Sequence, residues 1–240
     1  MKATLTSIQQ LTPDTSKLVF STIEPLNFIP GQFIMLDVLL RNEGSFTILD
    51  GKNALQRRSF SISSSPTLSP FCFELTVKKE QEGFVSDFLT SHVKVGEEFS
   101  ISGPYGKFTL SDTMSHVIML GAGSGIAPLR SMIHYIIDKD LPTEVDLFYS
   151  NKTREDIAHE AELLRLSKTH DSIHVHFTLT RESEKHWRGL IGRINFTMIS
   201  KVITPASYFY LCGSPQMVKD LRLQLLSGGI EEKRVKMEMW

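Results

Sequence analysis

Three glycines crowd into Gly121-Ala122-Gly123-Ser124-Gly125-Ile126-Ala127-Pro128. The stretch joins the apolar run His116–Leu120 to a helix-like segment that begins at Pro128, an expected first helical position. Glycine lets a backbone turn tightly and approach a ligand. A helix N-terminus behind such a turn offers unpaired N–H groups and a positive dipole end to a diphosphate. The spacing departs from the dinucleotide fingerprint, because Ile126 stands where the third glycine belongs. No Gly-Lys-Ser/Thr follows, which excludes a P-loop. The same residues also serve as a tight strand-to-helix turn with no ligand, and the motif alone leaves both readings open.

Other chemistry-bearing residues are weaker signals. His170, His174 and His176 cluster in sequence, and the last two share a strand face, but no further ligand stands nearby, so no metal site is expected. Cys72 and Cys212 are the two cysteines and form no Cys-x-x-Cys pair. That speaks against zinc and against a cysteine-held iron–sulfur cluster within this sequence. Gly123-Ser124-Gly125 lacks the spacing of a hydrolase nucleophile elbow.

The elements that must position these residues follow two rhythms. Up to about Leu110 the chain reads as short strands and turns. Phe71–Val77 alternates, with Phe71, Phe73, Leu75 and Val77 on one side. Phe33–Leu40 and Glu97–Ser102 are further strands, and a short helix is expected at Val85–Thr90. Turn signals fall at Pro30-Gly31, Gly44, Gly51, Gly96 and Gly103–Gly106. This spacing implies a small antiparallel barrel or sandwich. After Leu110, apolar strands alternate with helical segments, as in a parallel α/β sheet. The strands are His116–Leu120, Val145–Ser150, Ile173–Thr180, Tyr208–Cys212 and Val235–Met239. Between them, Thr153 is expected to cap a helix running to Leu166, with Asp156 as its capping-box partner. Pro215–Leu226 is another helix. The expected division is residues 1–112 and residues 113–240.

The chain has 240 residues and a formal net charge of -1. Nothing in that balance attracts nucleic acid or an anionic membrane. The N-terminus has no apolar core of signal-peptide length, and no stretch approaches the ~20 apolar residues of a spanning helix. A cytoplasmic protein without a membrane span is expected, with a monomer as the simplest state.

Further segments, in fixed order, extend the glycine turn. Arg58-Ser59-Phe60-Ser61 leads into Ser64-Ser65-Pro66. Gly83-Phe84-Val85-Ser86-Asp87-Phe88-Leu89 follows, then Gly103-Pro104-Tyr105-Gly106-Lys107-Phe108. After the glycine turn come Leu211-Cys212-Gly213-Ser214-Pro215-Gln216-Met217 and the final Glu238-Met239-Trp240. This series resembles the ferredoxin–NADP reductase family over nearly the whole chain. The resemblance implies an N-terminal antiparallel β-barrel flavin domain followed by a parallel α/β nucleotide-binding domain. A nicotinamide would meet the flavin in the cleft between them.

Residue roles follow from the same resemblance. Arg58 would hold the flavin diphosphate with its guanidinium fork. Phe60 would pack along the isoalloxazine, where tyrosine is commoner, and Ser61 would lie near its reactive nitrogen. Gly83 and Ser86 would meet the diphosphate at the start of the short helix. Gly123, Ser124, Gly125 and Pro128 would line the nucleotide. Cys212, Gly213 and Met217 would border the nicotinamide, with Cys212 shaping the pocket. Glu238 would be an acid beside the same ring, and Trp240 would stack on the flavin where the nicotinamide must enter. Thr180-Arg181 resembles the segment that grips a 2′-phosphate, with Arg193 as a second cation and Lys152 and Arg154 as further ones. FAD is therefore expected over FMN, and NADPH over NADH.

The implied function is electron transfer between NADPH and a separate one-electron carrier, ferredoxin or flavodoxin. Arg57, Lys78, Lys79 and Lys107 are candidates to dock it. Two alternatives stand beside it: an NADH-dependent reductase component of an oxygenase or other complex, and a catalytically silent flavin-binding regulatory subunit.

Overall fold

The computed structural model describes residues 1–40, 54–182 and 187–239. The turn glycines Gly44 and Gly51 and the terminal Trp240 lie outside the described residues. The first half supplies β1 (Lys2–Thr12), β2 (Thr15–Thr22), β3 (Phe33–Leu40), β4 (Ala54–Ser61), β5 (Cys72–Lys78), the short helix α1 (Phe84–Asp87) and β6 (Glu98–Tyr105). Its strands form one antiparallel six-stranded sheet in the order β4-β3-β6-β1-β2-β5. The sheet curls until its ends meet. Ile62, just past β4, bridges Leu75 of β5, and the Ser63 N–H donates to the Glu74 carbonyl at 2.8 Å. Closure of this kind removes exposed sheet edges.

The alternation in β5 holds from Phe73 onward: Phe73, Leu75 and Val77 face the barrel core, whereas Phe71 lies outside the strand and is half exposed. Phe20 and Phe73 stack with ring centroids 5.1 Å apart. Each such fully buried side chain contributes about 1.5–3 kcal/mol relative to exposure. Strands β1 and β2 were not among those expected from the sequence. A register shift between Leu5 and Ser7 breaks the two-residue period of β1. The short helix runs longer and ends wider than the sequence implies: four α-helical residues lead into a π-type turn over Phe88–His92.

The second half supplies β7 (His116–Ala122), α2 (Ile126–Asp138), β8 (Glu144–Asn151), α3 (Glu160–Thr169), β9 (Ile173–Leu179), β10 (Leu190–Ile191), α4 (Phe196–Ile199), β11 (Ser207–Gly213), α5 (Pro215–Ser227) and β12 (Val235–Met239). All pairings in this sheet are parallel, in the order β10-β9-β8-β7-β11-β12. Both faces of β7 are covered, which is why it reads as a continuous apolar run. Val117 and Met119 pack with α2 and α3, and Ile118 and Leu120 pack with α4 and α5.

Two helix boundaries differ from the sequence expectation. Pro128 is the third residue of α2, because a tight 3-10 turn over Gly123–Gly125 leads directly into Ile126. A proline still costs no hydrogen bond within the first turn. The helix expected from Thr153 is split. Thr153 and Asp156 form the capping box, but over a single 3-10 turn, and α3 starts only at Glu160. His159, at φ 61°, reverses the chain between them. Among the described residues no helix is long and apolar enough to cross a membrane.

Candidate functional site at the junction of the two sheets

Strand order in the parallel sheet reverses between β7 and β11. The crevice beyond the carboxyl ends of strands at such a switch is where open α/β sheets bind ligands. Gly121 pairs with Cys212 at this point, so the glycine turn and the Cys212-Gly213-Ser214 segment lie side by side. Gly123 has φ 53°, a left-handed conformation that a side chain would strain. The Tyr149 hydroxyl, on a fully buried ring, donates to the Gly123 carbonyl at 2.9 Å. Burial pushes this phenol well above its usual range, so it remains a donor. Tyr149→Phe is expected to cost about 1–2 kcal/mol, the value of a buried carbonyl left without its partner. Chemical denaturation measures that loss.

The antiparallel sheet supplies the facing wall. A cleft of about 1040 Å³ is lined by Arg58, Phe60 and Ser61 from β4, by Thr76 and Lys78 from β5, and by Gly83, Val85 and Ser86 around α1. Ser124, Ala127, Ser214 and Glu238 close it from the parallel sheet. Arg58–Ser61 belongs to a strand rather than to the serine-rich loop behind it, and strand pairing to β3 fixes its register.

Three side chains from distant parts of the sequence converge here. Parallel pairing of β11 with β12 sets Glu238 level with Cys212. The Ser61 hydroxyl donates to Glu238 Oε2 at 3.1 Å, and the Cys212 thiol reaches the same oxygen at 3.9 Å. Cys212 is fully buried. Burial pushes its thiol well above the usual range, and the Glu238 charge adds to the effect. Cys212 therefore lies behind the cleft lining, where a thiol raised in this way is a poor nucleophile. Burial also raises the Glu238 carboxyl, against the opposing hydrogen bonds from Ser61 and Cys212. A carboxyl raised in this way at a cleft wall is a candidate to hold or pass a proton.

Other expected residues are distributed as follows. Gly83 and Ser86 line the cleft, but the Ser86 hydroxyl donates to the Gly83 carbonyl at 2.9 Å and accepts from the Glu80 N–H at 3.0 Å. Ser86 thus braces the turn rather than offering its hydroxyl outward, and Gly83 is the N-cap. Gly213 packs against Met217, whose sulfur lies 2.9 Å from where a Cβ would stand. Gly125, Pro128, Gly213 and Met217 sit behind the cleft lining. Thr180, Arg181 and Arg193 lie away from it, at the carboxyl ends of β9 and β10, whose register puts the two arginines on neighbouring chain ends. His176 and His116 share Asp146 at 2.9 and 3.0 Å, in the interior of the sheet. Of the expected docking cations, Arg57, Lys78 and Lys79 form ion pairs with Asp37, Asp14 and Asp87.

The residues present suit a large anionic cofactor. Among the described residues Arg58 has only the Arg57 carbonyl as partner, at 2.9 Å. Its guanidinium therefore retains donors for phosphate oxygens. At Gly123 the nearest atom to a hypothetical Cβ is Lys78 Cδ, 3.8 Å away, which leaves room beside the backbone.

Comparison with known proteins agrees with this geometry. Residues 2–110 match the oxidoreductase FAD-binding domain, and residues 119–222 match the oxidoreductase NAD-binding domain. The chain is 29% identical over 229 residues to the glycine betaine monooxygenase reductase subunit of Chromohalobacter salexigens, across 92% of this chain and 59% of that protein. It is 30% identical over 229 residues to the sulfhydrogenase 2 subunit gamma of Pyrococcus furiosus, across 90% of this chain and 73% of the relative. The chain thus spans about three fifths of the length of the betaine monooxygenase reductase subunit. Among solved structures, the flavohem-like FAD/NAD binding domain of nitric oxide dioxygenase from Vibrio cholerae superposes with a TM-score of 0.86 at 22% identity, over 100% of this chain and 98% of that one. The ferredoxin NADP+ reductase from Neisseria gonorrhoeae superposes with a TM-score of 0.80 at 23% identity, over 100% and 98%. With the two domain matches and the relatives in agreement, the chain belongs to the ferredoxin–NADP reductase family of FAD- and NAD-binding oxidoreductases.

Proposed function

We propose that this chain passes electrons between a nicotinamide nucleotide and a one-electron acceptor on a separate protein, by way of bound FAD. The observation that carries the reading is the meeting of Ser61, Cys212 and Glu238. It joins the strand bearing Arg58 and Phe60 to the switch point of the nucleotide sheet. When bound, FAD supplies the exchange between two-electron and one-electron chemistry. The protein's part is placement. Arg58 and the backbone around Gly83 hold the diphosphate, and Phe60 packs along the ring system. The glycine turn, with Ser124, receives the nicotinamide nucleotide. Cys212 fills the wall and excludes water. Glu238 accepts the Ser61 hydroxyl at Oε2 and is the group at the cleft that can exchange a proton.

NADPH is the proposed donor, because Arg181 and Arg193 leave adjacent strands at the end where a 2′-phosphate would lie. Ferredoxin or flavodoxin is the leading acceptor. With Arg57, Lys78 and Lys79 already paired, Lys107 is the foremost docking cation of the four considered. A second reading rests on the relatives: several are named as reductase components of monooxygenases, so an NADH-fed partner in an oxygenase system is the alternative.

The purified protein is expected to be yellow and to bleach anaerobically with NADPH faster than with NADH. A colourless protein that takes up no added flavin overturns the reading. A yellow one bleached by neither nucleotide indicates a silent flavin-binding subunit. Arg181→Ala is expected to raise the KM for NADPH about 10- to 100-fold and that for NADH less than about 2-fold. An unchanged ratio removes Arg181 from nucleotide selection.

A further inference from the structure

Arg130, on the second turn of α2, is 5% exposed yet carries a charge. Its Nε and Nη2 donate to the two carboxylate oxygens of Glu162, each at 2.7 Å. Its Nη1 donates to the Ser63 carbonyl at 2.8 Å and to Glu74 Oε2 at 2.7 Å. The next residue, Ser131, donates from its hydroxyl to the Ser64 carbonyl at 2.6 Å. Two successive carbonyls of the segment leaving β4 are therefore held by one turn of α2. They follow Ser61 by two and three residues.

The same segment is held on the barrel side as well. The Glu74 N–H donates to the Ser64 hydroxyl at 3.0 Å, and the Ser63 N–H donates to the Glu74 carbonyl at 2.8 Å. Ser61 therefore sits at the end of a strand whose exit is fixed from both sheets. The N-terminus of α2 follows directly on Gly125, so the glycine turn and the grip on Ser63–Ser64 lie little more than one turn apart on the same helix. Apolar packing would join two layers at lower cost than a buried cation. What a guanidinium adds is a planar fork with fixed donor directions.

We propose that Arg130 and Ser131 are positioning residues that set the distance from Ser61 to the glycine turn, and thereby the placing of a nicotinamide nucleotide against flavin bound along β4. This rests on the function proposed above. Misplacement by about an ångström costs up to about a hundredfold in rate for reactions that depend on alignment. Neither residue lines the cleft, so neither acts by touching a ligand.

The test uses flavin-loaded Arg130→Lys and Ser131→Ala beside the parent protein. Three quantities are read: the melting temperature, the bleaching rate at saturating nucleotide, and the change in the visible flavin band on adding the oxidised form of the nucleotide that bleaches the parent. Arg130→Lys keeps the charge and loses the fork. Ser131→Ala removes a single hydroxyl and should fold in any case. For Ser131→Ala the expected result is a bleaching rate down about 5- to 10-fold and a smaller nucleotide-induced band change, with melting within about 3 °C of the parent. Arg130→Lys should slow bleaching more, about 30-fold or beyond. If the variants melt lower but match the parent in rate and band change per flavin-loaded molecule, the role is structural and the positioning proposal fails alone. If Arg130→Lys does not fold, Ser131→Ala decides by the same two readouts. A parent that binds no flavin fails the underlying function, and this proposal with it.

Discussion

Glu238→Gln is expected to give a protein that is slower at nicotinamide-dependent flavin reduction and, at neutral pH, more heat-stable than the parent. The two effects share one cause. Burial holds the Glu238 carboxyl above its ordinary range. The folded state therefore binds this proton more tightly than the unfolded chain does. Stability falls as pH rises from the unfolded carboxyl value, about 4.3, through the raised folded value, and the penalty is complete above it. Glutamine keeps an oxygen for the Ser61 hydroxyl and removes the charge. Its melting temperature should exceed the parent's by roughly 1–3 °C at pH 7 and match it below about pH 4. Bleaching should slow by about a hundredfold, the usual range for loss of a positioned proton group. Melting curves across pH, paired with anaerobic stopped-flow traces, test both halves. A variant that melts lower than the parent at pH 7 would show Glu238 stabilising as a carboxylate, contrary to its burial.

Glu162→Ala carries the larger stability effect. One carboxylate there meets both Arg130 Nε and Nη2, His134 Nε2 at 2.9 Å and His159 Nδ1 at 2.9 Å. These partners outweigh its own burial and hold the carboxyl far below its usual range. Alanine leaves the Arg130 cation buried with Glu74 as its remaining carboxylate. Breaking a buried pair from one side costs about 3–5 kcal/mol, or roughly 8–15 °C in melting temperature for a chain of this size. The pH dependence has a definite sign. A depressed carboxyl stabilises fully above the unfolded value, near 4.3, and that contribution drains as pH falls below it. Burial also depresses His159, so from about pH 6.5 downward the unfolded chain gains a proton that the folded one resists. The parent should lose stability steadily below about pH 6, and Glu162→Ala should show a shallower acid slope from a lower starting point. Equal slopes would contradict the four-donor arrangement.

Much of this architecture was legible in the residues. The apolar run at β7 and the alternation in β5 and β3 marked the two kinds of sheet, because burial on two faces or one leaves a distinct period. Arg58, Phe60, Ser61, Gly83, Ser124 and Glu238 were named from motif order, and all line one cleft. The missed features have two physical reasons: a local irregularity in the backbone, or a partner far away in sequence. The period of β1 was hidden by its register shift, and the break before α3 by the left-handed His159. Tyr149 carried no signal of its own within its strand, since only the fold brings its hydroxyl under Gly123. Arg130 gave the one available hint, a lone cation in the apolar stretch from Ile126 to Ile133. The ion pairs of Arg57 with Asp37 and of Lys78 with Asp14 were not legible either, because each partner is at least twenty residues away.

The contact between Ser61 and Glu238 spans 177 residues of chain. During synthesis, at about 5–20 residues per second, every strand of the antiparallel sheet emerges well before the last strand of the parallel one. A nascent chain can therefore close its barrel, with Arg58 and Phe60 in place, many seconds before it owns the acid at the cleft wall. The interval separates closure of the barrel from completion of the Ser61–Glu238 contact. A ribosome-bound chain could hold flavin early and still be unable to complete the proton arrangement that Ser61, Cys212 and Glu238 form together.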